Sequence, residues 1–141
     1  MSKAVDGIIR IGIIGSGGIA KAHARAYKDI ESVSIVAVSD VVDGKAGAFI
    51  DELELSDATP FTDHREALAQ VAMHGVSICT PNVAHHLTSI DALEAGVNVL
   101  TEKPMAVTLH QAVEMEQTAR RTGKILTIGF QPRYDPNMVM L

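Results

Sequence analysis

The chain has 141 residues, of which 47% are hydrophobic and 21% are charged, a composition that fits one folded domain with a buried core. The net charge of -5 at pH 7 argues against a general affinity for nucleic acid or for an anionic membrane surface. The single cysteine, Cys79, excludes an intrachain disulfide and a cysteine-based zinc site, and we expect it to be a small buried residue on a strand.

The first half of the chain alternates short β-branched runs with stretches of helical periodicity. Strands are predicted over residues 8–14, 33–39 and 59–61. Helices are predicted between them, over residues 18–30 and 45–53. This half is therefore predicted to fold as strand, helix, strand, helix, strand.

The second half continues the same rhythm. Its predicted strands cover residues 76–80, 97–101 and 125–130. Asp63 is expected to cap a short helix before the first of these strands, with Glu66 three residues later as in a capping box. Six strands are therefore predicted in all.

Two longer helices have clear signals at their ends. Asn82 is expected to cap a helix that runs to Ala95 and ends at Gly96. The other helix is predicted over residues 108–122, with Gly123 as its stop.

The alternation of strands and helices predicts the fold class. Helical crossovers between strands imply a parallel sheet covered on both faces, and the nearly continuous apolar strands fit burial on both sides. Six strands in this rhythm predict an α/β fold with a doubly wound parallel sheet, the Rossmann fold.

A glycine-rich turn follows the first predicted strand and opens the first helix. The segment Gly15-Ser16-Gly17-Gly18-Ile19-Ala20 matches the G-x-G-x-x-G/A pattern. In that pattern Gly15 permits a tight turn, Gly17 lets the backbone approach a pyrophosphate, and Ala20 lets helix and strand pack closely. Taken alone, the turn is also compatible with an ordinary strand-to-helix connection.

An acidic residue strengthens the dinucleotide interpretation. Asp40 ends the second predicted strand, 20 positions after Ala20, where a carboxylate can accept both hydroxyl hydrogens of the adenosine ribose. A 2′-phosphate beside Asp40 would be repelled, and no arginine stands nearby in the sequence. NAD is therefore favoured over NADP, with Lys45 as the nearby cation that complicates the inference.

Three further motifs follow the later predicted strands. They are Thr80-Pro81-Asn82 with His85 one turn into the next helix, Glu102-Lys103-Pro104, and the run from Gly129 to Pro136 that contains Gln131 and Arg133. With the glycine turn, these motifs resemble the glucose–fructose oxidoreductase / inositol dehydrogenase / rhizopine-catabolism family of dehydrogenases. The resemblance covers essentially the whole chain, and the Glu-Lys-Pro motif is its most specific element.

The resemblance implies roles for these residues. Lys103 would be catalytic, beside the nicotinamide and the reacting substrate group, while Gln131 and Arg133 would lie near the nicotinamide end. The expected cofactor-binding set is Gly15, Ser16, Gly17, Gly18, Ile19, Asp40, Thr80, Pro81, Asn82, His85, Glu102, Lys103, Gln131 and Arg133. These residues follow the carboxyl ends of parallel strands, where ligands bind in such sheets, so we expect them to converge.

Several of these residues also have plainer interpretations. The sequence is also compatible with Lys103 as a solvated charge, Asn82 as a helix cap only, and His85 as a surface helix residue. It is likewise compatible with an Arg133 that only neutralises Asp135. The remaining histidines have no metal-ligand spacing and are expected to be ordinary, and no metal site is predicted; they are His23, His64, His74, His86 and His110.

The C-terminal end predicts an unfinished element. Asn137 could cap a helix, yet only Met138 to Leu141 follow, and one apolar turn is not a stable helix. We expect residues 1–135 to form the NAD(P)-binding domain and residues 136–141 to begin a segment that leads to a second domain. The resemblance implies that this absent α/β domain carries much of the substrate pocket, a proton-transfer histidine and a homo-oligomer interface.

No stretch approaches the roughly 18 apolar residues that a membrane span requires, and the N-terminal apolar run is interrupted by Asp6 and Arg10. A cytoplasmic protein with a small-molecule substrate, and without nucleic-acid or membrane partners, is therefore expected. The predicted function is NAD(P)-dependent hydride transfer to or from a hydroxyl or carbonyl of a sugar or polyol. Two alternatives stay open: a stand-alone NAD-binding module without turnover, and an NAD-using enzyme whose net reaction is not redox.

Overall fold

A computed structural model describes residues 7–139 of the chain. Its strands are β1 (Ile9–Ile14), β2 (Val33–Ser39), β3 (Thr59–Phe61), β4 (Gly75–Ile78), β5 (Asn98–Glu102) and β6 (Leu126–Gly129). Its helices are α1 (Gly18–Lys28), α2 (Lys45–Leu53), α3 (His64–Gln70), α4 (His85–Glu94), α5 (Leu109–Thr122) and the short α6 (Pro136–Val139), with 3-10 turns at Asn82–Ala84 and Gln131–Tyr134. The predicted alternation of strands and helices is confirmed.

The strands form one sheet in the order β3-β2-β1-β4-β5-β6, and every neighbouring pair is parallel. The strand order reverses between β1 and β4, so the helices before and after this point cover opposite faces. In sheets of this kind, ligands bind beyond the carboxyl ends of the strands at the reversal. The predicted doubly wound Rossmann sheet is confirmed.

The core lies on both faces of the sheet. Ile13 and Ile14 are neighbours in β1, and successive strand residues point to opposite faces. Ile13 packs in a cluster with Ala24 of α1 and Phe49 of α2, whereas Ile14 packs in a second cluster with Leu93 of α4. Burial of each large side chain contributes about 1.5–3 kcal/mol, so this two-sided packing stabilises the sheet that positions the site.

The ends of some elements differ from the predicted ones. β4 ends at Ile78 rather than at Thr80, because its partner strand β1 ends at Ile14, which is paired with Ile78. α1 ends at Lys28 rather than at residue 30, where the chain turns toward β2. These shifts place Thr80 in the loop after β4.

Side-chain caps fix the starts of two helices. Asp63 caps α3 as predicted, since its Oδ1 accepts a hydrogen bond of 2.8 Å from the N–H of Arg65. The bond goes to the second helical residue, so Asp63 and Glu66 do not form the predicted capping box. A capping box is found instead at α5, between Thr108 and Gln111.

Neither asparagine predicted as a cap acts as one. Asn82 opens a 3-10 turn whose cap position is Pro81, and no side-chain capping bond is made there. Asn137 lies inside α6, and its N–H donates to Oδ1 of Asp135, so Asp135 fulfils the capping role before Pro136. Proline suits the first helical position because that residue needs no N–H acceptor. The apolar end predicted from residue 138 onward runs into residues 140–141, which lie outside the described part.

Glycines end the two long helices as predicted. Gly96 follows α4 and Gly123 follows α5, with φ angles of 79° and 67° in the left-handed region. None of the helices formed by residues 7–139 is long and apolar enough to cross a membrane.

Candidate cofactor site

The glycine turn begins where β1 ends. Gly15 has a φ of 88°, and a Cβ added there would lie 2.8 Å from the backbone carbonyl of Cys79 and 2.9 Å from the N atom of Thr80. Both the backbone conformation and the close approach to the loop after β4 therefore require glycine. The turn is as tight as the motif predicts.

Beyond the turn, the N-terminus of α1 faces open space. Gly17 is the cap residue and makes no side-chain capping bond, and a Cβ added at Gly17 or Gly18 would meet nothing within 4 Å. The first N–H groups of a helix have no acceptor within the helix, and this end carries a partial positive charge. Free donors, positive potential and empty space fit a pyrophosphate. Ala20 is fully buried and lets α1 lie close to the sheet.

Asp40 follows β2 and has four donors around its carboxylate. Oδ2 accepts from the N–H and the hydroxyl of Ser16, at 3.0 and 2.7 Å, and lies 3.0 Å from Nζ of Lys45. Oδ1 accepts from the N–H of Val42 at 3.0 Å. Burial alone would raise the pKa of Asp40, but these hydrogen bonds and the ammonium lower it to about 2. The carboxylate is therefore ionised at neutral pH.

These donors bear on the expected ribose contact. Each carboxylate oxygen offers about two lone-pair positions; three donors crowd Oδ2 of Asp40, whereas the N–H of Val42 leaves one position free on Oδ1. Both hydroxyls of a ribose can bind only if a present donor leaves. Lys45 is the easiest to displace, because its side chain is 47% exposed.

A cavity of about 820 Å³ lies between α1 and the polypeptide at the ends of β4, β5 and β6. The predicted site residues that line it are Ile19, Thr80, Asn82, His85, Glu102, Lys103 and Gln131. The predicted residues that do not line it are Gly15, Ser16, Gly17, Gly18, Asp40, Pro81 and Arg133. The residues that line the cavity are mostly those expected near the nicotinamide. Most of the residues outside it belong to the glycine turn or, like Asp40, to the expected adenosine end of the cofactor.

Lys103 is exposed and lines this cavity. Its ammonium has no hydrogen bond or ion pair to any residue between 7 and 139. Exposure alone would suit a solvated lysine equally well, so its position at the cavity carries the functional interpretation. Its neighbour Glu102 is only 5% exposed.

Thr80 and His85 connect the loop after β4 to the loop after β5. His85 is 1% exposed, which contradicts its interpretation as a surface residue. Its Nδ1 lies 2.7 Å from the carbonyl oxygen of Pro104, and its Nε2 lies 3.0 Å from that of Thr80. The hydroxyl of Thr80 is buried and has no hydrogen-bond partner within the described residues.

The segment after β6 places its two predicted residues differently. Gln131 lines the cavity and donates from Nε2 to Oε1 of Glu102 at 2.8 Å. Arg133 lies outside the cavity lining, with its guanidinium carbon 5.9 Å from the centre of the Phe130 ring. It forms no ion pair with Asp135, so the plainer interpretation of Arg133 is wrong in this structure. A cofactor contact of Arg133 stays a prediction.

Residues 9–130 match the model of a protein family described as an oxidoreductase family with an NAD-binding Rossmann fold. The chain belongs to this oxidoreductase family. The match extends from the first residue of β1 to Phe130, and so includes the glycine turn, Asp40, Thr80 and Lys103. The family resemblance inferred from the motifs is confirmed.

Two curated relatives are named as dehydrogenases of a sugar derivative and a polyol. D-glucoside 3-dehydrogenase of Escherichia coli K12 is 39% identical over 127 residues, covering 89% of this chain and 36% of that protein. Inositol 2-dehydrogenase of Salmonella typhimurium is 33% identical over 135 residues, covering 94% of this chain and 40% of that protein. The chain thus spans about two fifths or less of the length of these relatives.

Solved structures show the same fold. The WlbA dehydrogenase of Chromobacterium violaceum, in complex with NADH and UDP-GlcNAcA, has a TM-score of 0.91 and 28% identity over 99% of this chain and 40% of that one. The myo-inositol dehydrogenase of Lactobacillus casei, in complex with NAD(H) and myo-inositol, has a TM-score of 0.85 and 28% identity over 92% and 38%.

Sequence reasoning missed several residues that line or support the cavity of this family member. His23 was expected to be ordinary, yet its ring bonds to Glu102 and Ser77, and Tyr27 bonds to Ser77 in turn. Helical spacing gave one usable signal, because His23 and Tyr27 are four residues apart and so share a face of α1. The identity of their partner Glu102, 79 positions away, had no local signal.

Cys79 is buried directly after β4, and burial together with the negative charge of Glu102 raises its pKa to about 12. A thiol in this state is a poor nucleophile, in line with the structural role that we expected. Within the described range, no group of three or more His, Cys, Asp or Glu residues could hold a metal ion.

Proposed function

We propose that this chain is the cofactor-binding part of an NAD-dependent dehydrogenase that acts on a hydroxyl or carbonyl of a sugar, a polyol or a related small molecule. The observation that carries the proposal is the position of Lys103. Its ammonium is unpaired among the described residues and stands at a cavity that Thr80, Asn82 and Gln131 also line. A charge without a protein partner at such a place is available to a bound substrate.

The residues would hold the dinucleotide in three parts. The N–H groups at the start of α1, reached past Gly17, would bind the pyrophosphate. Asp40 would accept from one hydroxyl of the adenosine ribose at Oδ1, and from the second once a present donor has moved. Thr80, with its unpartnered hydroxyl, and Asn82 would line the nicotinamide half. When bound, the nicotinamide supplies the hydride acceptor or donor.

We propose NAD rather than NADP as the cofactor. Asp40 is ionised at neutral pH, and a 2′-phosphate beside it would be repelled. Lys45 offsets part of that charge, but its side chain is half-exposed and solvent weakens the compensation. No arginine within residues 7–139 contacts Asp40, so the bidentate phosphate contact that an arginine could offer is missing there.

Lys103 would act on the substrate oxygen. Its ammonium can donate a hydrogen bond to that oxygen, stabilise negative charge that develops on it, or share its proton. As the family resemblance implies, we expect the second proton-transfer group to lie outside these 141 residues. The same resemblance leads us to expect a homo-oligomer in a longer protein that contains this domain, and the single cysteine leads us to expect a cytoplasmic location.

The substrate class rests on the relatives. Their names specify D-glucosides and inositol, and the two solved neighbours hold UDP-GlcNAcA and myo-inositol together with the cofactor. All of these are polyhydroxylated rings. Because this chain spans only part of each relative, the substrate of the whole protein is proposed at the level of that class.

The test has a binding arm and a kinetic arm. Calorimetric titration of the 141-residue chain should show NADH binding. In a longer protein that contains this domain, Lys103→Ala should lower kcat by about a hundredfold to ten-thousandfold and change NAD affinity only a few-fold. Lys124→Ala, a lysine at the other end of β6, is the matched control and should leave both unchanged.

The outcomes separate the alternatives. Near-normal kcat with lost NAD affinity would make Lys103 a binding residue. NADH binding without turnover of any sugar or polyol by the longer protein would favour a binding module. Turnover without net NADH formation would favour a non-redox reaction. Failure of the folded chain to bind NADH would contradict the whole proposal.

A further inference from the structure

Glu102 is a buried carboxylate whose donors come from three parts of the fold. Oε1 accepts from Nε2 of His23 in α1, at 2.9 Å, and from Nε2 of Gln131 after β6, at 2.8 Å. Oε2 accepts from the N–H of Lys103 at 3.2 Å. Within the described chain, no lysine or arginine forms an ion pair with Glu102. The carboxylate therefore depends on these hydrogen bonds for its stabilisation.

The hydrogen bonds on the other side of His23 fix its ring. Nδ1 lies 3.2 Å from the hydroxyl of Ser77, which lies 2.6 Å from the hydroxyl of Tyr27. A carboxylate only accepts, so Nε2 of His23 must donate to Glu102. Nδ1 of the ring, the hydroxyl of Ser77 and the hydroxyl of Tyr27 form one hydrogen-bonded chain on this side of His23. Burial raises the pKa of Tyr27, so this phenol keeps its proton.

The fold leaves room for the carboxylate in this orientation. A Cβ added at Gly129 of β6 would lie 2.7 Å from Oε1 of Glu102. Any other residue at this position would push the carboxylate away from His23 and Gln131. The absence of a side chain on the neighbouring strand is thus part of the arrangement, independently of the hydrogen bonds themselves.

We propose that His23 is a positioning residue for Lys103. By donating to Glu102, His23 fixes the carboxylate that in turn holds the N–H of Lys103, and so sets where the ammonium stands at the cavity. The proposal rests on the proposed function of Lys103. Helix α1 then serves both halves of the site, because its N-terminus faces the pyrophosphate position and its second turn supports the catalytic lysine.

Loss of His23 should change the orientation of Glu102 and the position of Lys103 rather than the affinity for the cofactor. A variant without the donor leaves Oε1 of Glu102 with Gln131 alone, and the side chain gains freedom to turn. We expect kcat of a longer enzyme to fall at least tenfold, while NADH affinity of the 141-residue chain stays within about twofold. The adenosine and pyrophosphate contacts lie elsewhere and remain.

The direct test is NMR of the 141-residue chain without cofactor. His23→Leu should shift the NMR signals of the Lys103 backbone amide and the Gln131 side-chain amide. His23→Gln keeps a hydrogen-bond donor at similar reach and should largely restore both signals to their wild-type positions. His86→Leu is the matched control, because Nε2 of His86 lies 2.8 Å from Oε2 of Glu114 in a pair away from the cavity. That variant should leave both signals in place.

A second variant guards against misfolding. If His23→Leu does not fold, His23→Asn, which is polar but too short to reach Glu102, takes its place. Unmoved Lys103 and Gln131 signals in a folded variant, or equal kcat for His23→Leu and wild type, would overturn the positioning role. Failure of wild type to bind NADH would instead contradict the proposed function, since the NMR result does not depend on the cofactor.

Discussion

Gly15 and Gly17 belong to the same glycine turn, but a side chain would meet different surroundings at the two positions. Gly17→Val should abolish NADH binding, because its side chain would occupy the empty space before α1 where the pyrophosphate is expected. The fold should survive, since a Cβ at Gly17 meets nothing within 4 Å. Calorimetry and thermal melting of the same sample measure both quantities.

Gly15→Ala is the informative contrast. Its Cβ would press on the backbone of Cys79, and its φ of 88° disfavours any side chain, so stability should fall by at least about 1–2 kcal/mol. Gly18→Ala, which lies in open space inside α1, should leave stability unchanged or slightly higher.

Intact NADH binding by folded Gly17→Val would show that the pyrophosphate lies elsewhere.

Asp40 should make stability depend on pH in acid. Its pKa is lowered from 3.8 to about 2, so the stabilisation is complete above about pH 5 and is lost as the pH falls through 4 toward 2. After allowance for solvent near the half-exposed Lys45, we expect a loss of about 1–2 kcal/mol. Urea unfolding at pH 6 and at pH 2.5 measures the difference.

The comparison needs a variant that differs only in the carboxylate. Asp40→Asn should flatten this part of the pH profile and reduce the preference of the chain for NADH over NADPH, which should be several-fold in wild type. Asp43→Asn, an exposed residue three positions on, is the control and should alter neither quantity. An unchanged pH profile in Asp40→Asn would assign the acid sensitivity to other groups.

For single residues, the sequence identifies the functional residues better than it identifies their hydrogen-bond partners. Gly15, Asp40 and Lys103 can be identified from motifs, because each motif is local and its chemistry is tied to one position. The contact between His23 and Glu102 joins residues 79 positions apart, and no periodicity encodes it. The occupation of Asp40 by Ser16 and Lys45 also depends on how the turn and α2 pack after folding.

Helix α5 begins with a reciprocal cap that links Thr108 and Gln111. Thr108→Ala should lower the free energy of unfolding by about 1 kcal/mol, because it removes the acceptor for one of the N–H groups at the helix start. Thr108→Ser keeps the hydroxyl and should lower the free energy of unfolding by only a few tenths of a kcal/mol. Urea denaturation of the three proteins is the measurement.

The cap lies away from the cavity, so NADH binding should not change in either variant. A Thr108→Ala protein as stable as wild type would show that the start of α5 is held by its packing on α4 rather than by its cap. The two helices are also joined by the ion pair between Glu94 and Arg121.

The elements themselves follow from hydrophobic patterning, because both faces of each central strand must be apolar and each helix must present one apolar face. Their ends are harder to predict. Asn82 is a common capping residue, yet Pro81 occupies the cap position and a 3-10 turn intervenes before α4. β4 stops at Ile78 because its partner strand stops there, and a single segment does not contain that information.

At the scale of the whole molecule, cofactor binding and turnover should separate. The purified 141-residue chain should bind NADH yet form no NADH from NAD with myo-inositol or a D-glucoside. Turnover needs the reacting groups held together in one geometry, and we expect the second proton-transfer group to lie outside these residues. Absorbance at 340 nm follows the reaction, with a longer protein containing this domain as the positive control. Substrate-dependent NADH formation by the short chain would contradict this view.

The reversal of strand order between β1 and β4 separates two groups of site residues with different proposed roles. Asp40, which would discriminate between cofactors, follows a strand on one side of this reversal, and Lys103, which would act on substrate, follows a strand on the other. Core substitutions on one side should leave the packing of the other largely unaltered, because the two clusters of core residues lie on opposite faces of the sheet, and the contact of His23 with Glu102 is the exception that links them. With the proposed roles of Asp40 and Lys103, cofactor choice and reaction chemistry should be open to modification as separate traits, so that an engineer could exchange one while keeping the other.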